Sequence, residues 1–157
     1  MCRTGEVRRH RLGGTTPEGY CSDETRTYVV GEPVDEVVAF YAVLQAAQEA
    51  ACQWARGGVT AESVDAAARD VIEAAGYGVA FVHRTGHGIG LSTHEEPYIV
   101  AGNTEILEPG MAFSIEPGIY LEGRYGARIE DIVVVTEDGT SVERLNLRPR
   151  DLVLLDA

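Results

Sequence analysis

Four acid or imidazole side chains stand where predicted strands end or turns begin: Asp23, His87, Glu116 and Glu130. Each lies beside small residues or in a segment whose other residues are apolar. A carboxylate that faces a protein core is costly unless it is paired or binds a cation. Any one of them alone is more simply a solvated loop residue, but four in strand contexts favour a metal site assembled by the fold.

Other chemistries fit these residues poorly. His83 and His87 have the spacing of a helical zinc motif, but no Glu follows His83 and glycines flank His87, which argues against a helix. The glycine-rich residues 86–90 lack the spacing of a dinucleotide-binding loop and do not lie between a strand and a helix. Ser22 and Ser114 have no nucleophile-elbow context, and no catalytic thiol pair stands out. A nucleotide site and a serine hydrolase are therefore disfavoured.

The first half of the chain predicts one extended segment and two helices. Residues 20–30 are rich in β-branched and aromatic side chains and predict a strand. Apolar residues then recur at helical spacing from Val37 until Gly57, which ends the first helix. Thr60 is the predicted N-cap of the second helix, and Gly76 is its predicted C-terminal stop.

The second half predicts several strands. Apolar runs at residues 79–82 and 111–115 have strand length, and residues 127–136 alternate before they become continuously apolar, as a largely buried strand would. Residues 137–139 suit a hairpin turn. This order of elements predicts an α/β (α+β) domain in which the helices pack on a curved, mostly antiparallel sheet, and no linker divides it.

Composition narrows the class of protein. A net charge of −12 over 157 residues argues against nucleic acid or an anionic membrane as a partner, since both need clustered Lys and Arg. Three cysteines without metal-type spacing predict neither a disulfide framework nor a zinc ribbon, and Cys52 lies among apolar helix positions as a core residue would. No segment approaches a membrane span and no signal peptide is evident, so a cytoplasmic location is expected.

Four motifs follow one another along the chain. They are YCSDETRT at residues 20–27, HRTGHGIGLSTHEEP at 83–97, EPGMAFSIEPGIY at 108–120 and RIEDIVVVT at 128–136. In this order they closely resemble the motifs of the Xaa-Pro aminopeptidase and Xaa-Pro dipeptidase (prolidase) family, and the match covers residues 12–157 almost without gaps. Methionine aminopeptidases share the histidine motif but lack the Arg-Ile-Glu-Asp ending, so they are the less favoured relatives.

This resemblance implies a pita-bread fold, of which residues 12–157 would be the C-terminal part of the catalytic domain, so that the fold is incomplete. It implies that Asp23 and Glu130 bridge two divalent cations and that His87 and Glu116 bind the second cation. A complete family site of four carboxylates and one imidazole favours Mn²⁺, with Co²⁺, Fe²⁺ or Zn²⁺ as alternatives. A hydroxide that bridges the metals would attack the Xaa-Pro bond of a peptide with proline at its second position.

The resemblance also assigns roles around the metals. Glu116 is the expected proton shuttle, and His83 and His94 are expected to line the substrate pocket and to hydrogen-bond the substrate or the tetrahedral intermediate. Tyr120 and Arg128 are expected to orient the ligands, although a core tyrosine and a surface salt bridge are the simpler interpretations of these two. A full-length form could be a homo-oligomer.

The chain departs from the family at its start. Arg11 stands before the Leu-Gly-Gly-Thr of residues 12–15, where the family has its first metal-binding aspartate, and residues 7–11 are too basic for a buried strand. We interpret residues 1–11 as an aberrant segment that arose from a slip of the reading frame. Arg128 is then expected to lose its anionic partner, and the chain is expected to bind one metal ion or fewer.

Two classes of function therefore remain open. The first is a two-metal exopeptidase of the Xaa-Pro type, truncated and impaired in this chain. The second is a pita-bread protein without metal catalysis, either an inactive binding module or a creatinase-like hydrolase. Retention of four of the five ligand positions favours the first class.

Overall fold

The computed structural model describes residues 6–156. This part of the chain forms ten strands, two α-helices and a 3-10 helix at Gly78–Ala80. The helices are α1 (Asp35–Trp54) and α2 (Ala61–Ala74). The strands are β1 (Val7–Thr15), β2 (Cys21–Val30), β3 (Gly86–Gly88), β4 (Glu95–Ile99), β5 (Ala112–Ile115), β6 (Gly118–Leu121), β7 (Tyr125–Arg128), β8 (Asp131–Val135), β9 (Val142–Arg144) and β10 (Val153–Leu155).

Each helix buries one face because its apolar residues recur at helical spacing. Helix α1 buries Val37, Tyr41 and Leu44, and α2 buries Val64; these side chains belong to one core that also includes strand residues. Gly76 follows α2 in the left-handed conformation with φ of 85°, as a C-terminal stop requires. Neither helix in the described part of the chain is long and apolar enough to cross a membrane.

The first backbone amides of α2 find hydrogen-bond acceptors other than the side chain of the predicted N-cap residue. Thr60 precedes the helix as expected, but its side chain makes no capping hydrogen bond. The amides of Ala61 and Glu62 donate instead to the carbonyl oxygens of Glu105 at 2.9 Å and Asn103 at 2.8 Å. The first amides of a helix need acceptors from outside it, and here a loop distant in sequence supplies them.

Two sheets and a hairpin surround the candidate site. The larger sheet has five strands in the order β4-β3-β5-β8-β9, and every neighbouring pair is antiparallel. The smaller sheet has the order β1-β2-β10, in which β1 is antiparallel and β10 is parallel to β2. Strands β6 and β7 form a separate antiparallel pair. The predicted α/β class, with helices packed on mostly antiparallel sheet, is confirmed.

Three segments refine or correct the sequence interpretation. Residues 79–82 contain no strand: the 3-10 helix occupies their start, and the side chains of Val79 and Val82 are 95% and 72% exposed. Residues 127–136 are two strands rather than one, because the chain breaks at Glu130, whose amide donates to the carbonyl oxygen of Thr25 at 3.1 Å. The segment with the basic cluster does form a strand, β1, but it is exposed rather than buried along residues 8–15.

Candidate metal centre

Strand β3 holds His87 in the interior of the larger sheet. A Cβ atom on Gly86 would lie 1.8 Å from the carbonyl oxygen of Ser114, and one on Gly88 would lie 2.2 Å from that of Glu96. Only glycine fits on either side of His87, because the neighbouring strands approach so closely. The His87 amide donates to Ser114 Oγ at 3.0 Å, and its Nδ1 lies 3.0 Å from the Gly88 carbonyl oxygen. These contacts leave Nε2 as the ring atom available to a ligand.

Asp23 and Glu130 bring carboxylates to the same place from different elements. Asp23 lies within β2, and Glu130 occupies the break between β7 and β8; both are buried. One ligand atom from each of Asp23, His87 and Glu130 lies within 4.8 Å of the others. Two carboxylates and an imidazole at this separation are a donor set suited to a divalent cation.

Two buried atoms in this cluster have no hydrogen-bond partner among the described residues. They are His87 Nε2 and Glu130 Oε1. The other carboxylate oxygen of Glu130, Oε2, accepts a hydrogen bond from the Thr25 hydroxyl. Buried polar atoms are normally paired, so two unpaired atoms of ligand chemistry are of the kind that a bound cation would satisfy. On this observation the residues fit a metal ion.

Glu116 lies at the border of this cluster. Its Oε1 is 3.1 Å from His87 Nε2, although the two atoms are not aligned as a hydrogen bond. Ser114 Oγ donates to the same oxygen at 3.1 Å, and Arg128 Nη1 donates to Oε2 at 2.5 Å. Three of the four predicted metal ligands thus meet directly, and the fourth adjoins them through His87.

The contact with Arg128 corrects one expectation. Arg128 was expected to be left without an anionic partner, but Glu116 provides one, because β6 and β7 pair directly and place position 128 beside the start of β6. Burial of Glu116 acts to raise its pKa, but the contacts with His87 and Arg128 outweigh this effect and lower it. The pKa of Glu130 is raised, first by burial and then by the negative charge of Glu116. The two glutamates therefore differ in how readily they hold a proton.

Arg11 enters the site from β1. Its Nε donates to Asp23 Oδ1 at 2.8 Å, its Nη2 donates to Asp23 Oδ2, and the same Nη2 lies 3.4 Å from His94 Nε2. Asp23 is 1% exposed and the Arg11 side chain is 43% exposed, so the guanidinium reaches inward from the surface. The hydrogen bond to Asp23 raises the pKa of Arg11 and fixes its charge. The sequence left open whether Arg11 reaches the site, and the structure places it directly on a candidate ligand.

A cavity of about 580 Å³ opens beside the cluster. It is lined by Arg11, His83, Arg84, His94, Tyr98, Val100, Glu116 and Arg128. His83 Nε2 lies 3.1 Å from the Tyr120 hydroxyl oxygen, and the His94 ring packs 4.2 Å from the His87 ring between centroids. Burial is the main cause that lowers the pKa of both His83 and His94, which favours the neutral form of each ring.

Sequence reasoning missed the group that holds Glu130 in place. Arg26 is 2% exposed and donates through Nη1 to the Glu130 carbonyl oxygen at 2.7 Å and through Nη2 to Asp131 Oδ1 at 2.6 Å. It also donates to the carbonyl oxygens of Arg148 and Pro149, each at 2.9 Å. The one available signal was a charged residue inside a segment that otherwise predicts a buried strand.

Comparison with known proteins assigns this arrangement to a family. The profile described as Metallopeptidase family M24 matches residues 2–137. The protein named "Probable dipeptidase PepE" of Mycobacterium tuberculosis is 60% identical over 153 residues, which are 98% of this chain and 40% of that protein. The chain therefore spans about two fifths of the length of this relative.

Solved structures give the same result. The crystal structure of dipeptidase PepE from Mycobacterium ulcerans superposes with a TM-score of 0.96 at 57% identity and covers 99% of this chain and 41% of its own. That of recombinant prolidase from Thermococcus sibiricus has a TM-score of 0.93 at 50% identity and covers 98% and 41%. The pita-bread fold expected from the resemblance is confirmed by this likeness.

Proposed function

The chain belongs to metallopeptidase family M24, and from this premise we propose that the protein is a metal-dependent exopeptidase that hydrolyses Xaa-Pro peptide bonds. Support comes from the convergence of Asp23, His87 and Glu130, whose ligand atoms lie within 4.8 Å of one another. The name dipeptidase supports a peptide substrate, and the name prolidase, carried by another similar protein, supports proline at its second position. The proposal concerns the whole protein, since the chain covers about 40% of its relatives.

We assign metal binding to His87, Glu116 and Glu130, and we assign Asp23 as a fourth ligand position whose carboxylate is engaged by Arg11 in this chain. An oxygen-rich set with one imidazole favours Mn²⁺ among divalent cations. A cation held there supplies Lewis acidity and an acidified water. Glu130 and His87 offer the two buried atoms without partners, and Glu116 adds an oxygen 3.1 Å from the imidazole.

The neighbouring side chains are suited to handle the peptide. Neutral His83 and His94 can donate or accept a hydrogen bond at the wall of the cavity, and Tyr120 orients the His83 ring. Ser114 and Arg128 hold the Glu116 carboxylate in one orientation, as a group that takes up and returns a proton must be held.

Arg11 limits what this chain can do. Both oxygens of Asp23 accept hydrogen bonds from the guanidinium, so this carboxylate is engaged before any metal arrives. We therefore propose that the chain binds at most about one cation and hydrolyses Xaa-Pro peptides barely or not at all. The same contact favours a second candidate function, a binding module that retains the cavity without turnover.

Metal analysis and a peptide assay test this proposal. Purified chain equilibrated with Mn²⁺ should retain about one ion, and the single variants His87→Ala and Glu130→Ala should lose it, because each removes a buried ligand atom. Glu36→Ala, on the surface in the first turn of α1, is the matched control and should retain the ion. Undiminished Mn²⁺ in both site variants would refute the metal assignment, and two tightly bound ions with rapid Ala-Pro hydrolysis would refute the impairment.

A further inference from the structure

The side chain of Arg11 occupies the place at Asp23 where a cation would be needed. Asp23 is almost completely buried, and a buried carboxylate requires a partner of opposite charge. The planar guanidinium provides it through two parallel hydrogen bonds, the geometry that matches a carboxylate best. We propose that Arg11 is a built-in counter-cation that substitutes for a metal ion at Asp23, so that the acidic cluster assembles without metal. The proposal extends the proposed function, since it concerns the same cluster.

The charges of the cluster agree with this assignment. Two of its three carboxylates have a guanidinium: Asp23 contacts Arg11 and Glu116 contacts Arg128. The third, Glu130, makes its side-chain hydrogen bond with the neutral hydroxyl of Thr25. With two fixed positive charges against three carboxylates, a single place for an added cation remains within the described site, beside Glu130 Oε1 and His87 Nε2.

The position of Arg11 between two cavities is an independent observation. The cavity of about 580 Å³ lies on one side, and a second of about 480 Å³, lined by Gly13, Ser22, Asp23 and their neighbours, lies on the other. Arg11 and His94 line both cavities, and Arg11 Nη2 lies 3.4 Å from His94 Nε2. Asp23 lines the smaller cavity and not the larger one, whereas the Arg11 side chain that holds its carboxylate borders both.

Metal stoichiometry tests the substitution directly. Isothermal titration with Mn²⁺ should give one ion per chain for the natural sequence and two for Arg11→Asp, because the variant removes the fixed cation and adds a carboxylate beside Asp23. Arg9→Asp is the matched control: it makes the same charge change two positions away on β1, where the guanidinium lies over the Tyr120 ring instead of a carboxylate. It should bind one ion. Two Mn²⁺ ions bound to the natural chain would overturn the proposal. So would one ion bound to both the natural chain and Arg11→Asp.

Thermal unfolding in EDTA supplies a test that needs no metal. The natural chain should keep its melting temperature when metal is removed, whereas Arg11→Ala should lose on the order of 5 to 10 °C, because Asp23 is left buried and unpaired. Arg9→Ala should change by less than about 2 °C. If Arg11→Ala does not fold, Arg11→Lys is the second variant. It keeps the positive charge but cannot make two parallel hydrogen bonds to Asp23, so its melting temperature should fall by less than about 5 to 10 °C.

The two tests separate the proposals. An unchanged melting temperature in Arg11→Ala, or an equal fall in Arg9→Ala, would refute the role of Arg11 whatever the metal content. A fall confined to Arg11→Ala together with no Mn²⁺ in any variant would uphold the counter-cation and refute the metal-dependent function.

Discussion

Ion pairs at the site and at the surface differ in how strongly they hold the fold. The Arg128–Glu116 pair is nearly buried, with side-chain exposures of 18% and 7%, whereas the Arg124–Glu36 pair is exposed at 57% and 36%. Removal of one partner from a buried pair leaves an uncompensated charge, but an exposed pair contributes little. The burial of the ion pair thus decides how much Glu116 and Glu36 each contribute to the stability of the fold.

We expect Arg128→Ala to lower the free energy of unfolding by about 3 kcal/mol, because Glu116 loses its guanidinium. Arg124→Ala should lower it by less than about 1 kcal/mol. Urea denaturation of both variants in EDTA measures the difference. Equal losses would show that the Arg128 contact is as weak as a surface pair.

The thiol of Cys52 should be inert in the folded protein. It packs against the core as the sequence predicted, and burial raises its pKa to about 12. The thiolate is the reactive form, and the ordinary pKa of a thiol is 9.0, so alkylation at pH 8 should be about a thousandfold slower than in the unfolded chain. Iodoacetamide labelling with and without urea, read by peptide mass spectrometry, checks this. Rapid labelling of Cys52 in the native chain would contradict it.

Residue types and their sequence neighbours predicted which acid and imidazole side chains cluster, but they did not predict every arginine that contacts this cluster. Asp23, His87 and Glu130 were identifiable because a polar side chain in an apolar strand is costly to bury unless it has a partner or a ligand. The contacts of Arg11 and Arg26 were not, because their partners lie 12 and 104 positions away in the sequence and are brought near only by the tertiary fold. A pattern within a short window carries no information on such partners.

At the scale of elements, the position of β3 depends on its two glycines. Gly86 and Gly88 allow the carbonyl groups of Ser114 and Glu96 to approach, and His87 stands between them. Gly14 offers a contrast within β1: a Cβ there would meet nothing closer than Ser22 Oγ at 3.8 Å. The glycines of β3 are therefore explained by the close approach of neighbouring backbone carbonyl groups and not by a need for flexibility.

We therefore expect Gly86→Ala to destabilise the fold by about 3 kcal/mol, the upper end for an overpacked site, and to displace His87 from the cluster. Gly14→Ala should cost less than about 1 kcal/mol. Thermal unfolding and Mn²⁺ titration of both variants provide the measurement. A Gly86→Ala variant with normal stability and metal affinity would show that β3 can shift without loss.

Periodicity predicted the long elements well and the short ones poorly. Helices α1 and α2 extend over several turns, so their apolar spacing was decisive. The interruption at Glu130 and the 3-10 helix at residues 78–80 were missed, because a single backbone turn is set by tertiary contacts such as the bond from the Glu130 amide to Thr25.

For the molecule as a whole, β1 is an exposed edge strand. It pairs on one side with β2 and stands at the end of its sheet. Arg8 and His10 are exposed on it. Charged side chains on an edge strand oppose pairing with another chain.

We expect the double variant Arg8→Val/His10→Val to self-associate, because it replaces the polar side chains on one face of this edge strand with β-branched apolar ones. Arg148→Val, which removes the same formal charge from an exposed position outside the strands, should stay dispersed. Light scattering at increasing protein concentration distinguishes them. Equal scattering from both variants would attribute the effect to net charge rather than to the edge.

The contacts of Arg26 also have a kinetic consequence. Its partners at Glu130 and Pro149 lie 104 and 123 positions further along the chain, and β10 pairs with the same strand that carries Arg26. Contacts of such sequence separation must wait for the closure of a very long loop, which slows folding. On the ribosome the contacts of Arg26 with the carbonyl oxygens of Arg148 and Pro149 can form only after those residues emerge. Arg26 therefore gains its full set of contacts late, although every predicted ligand lies earlier in the chain than Arg148.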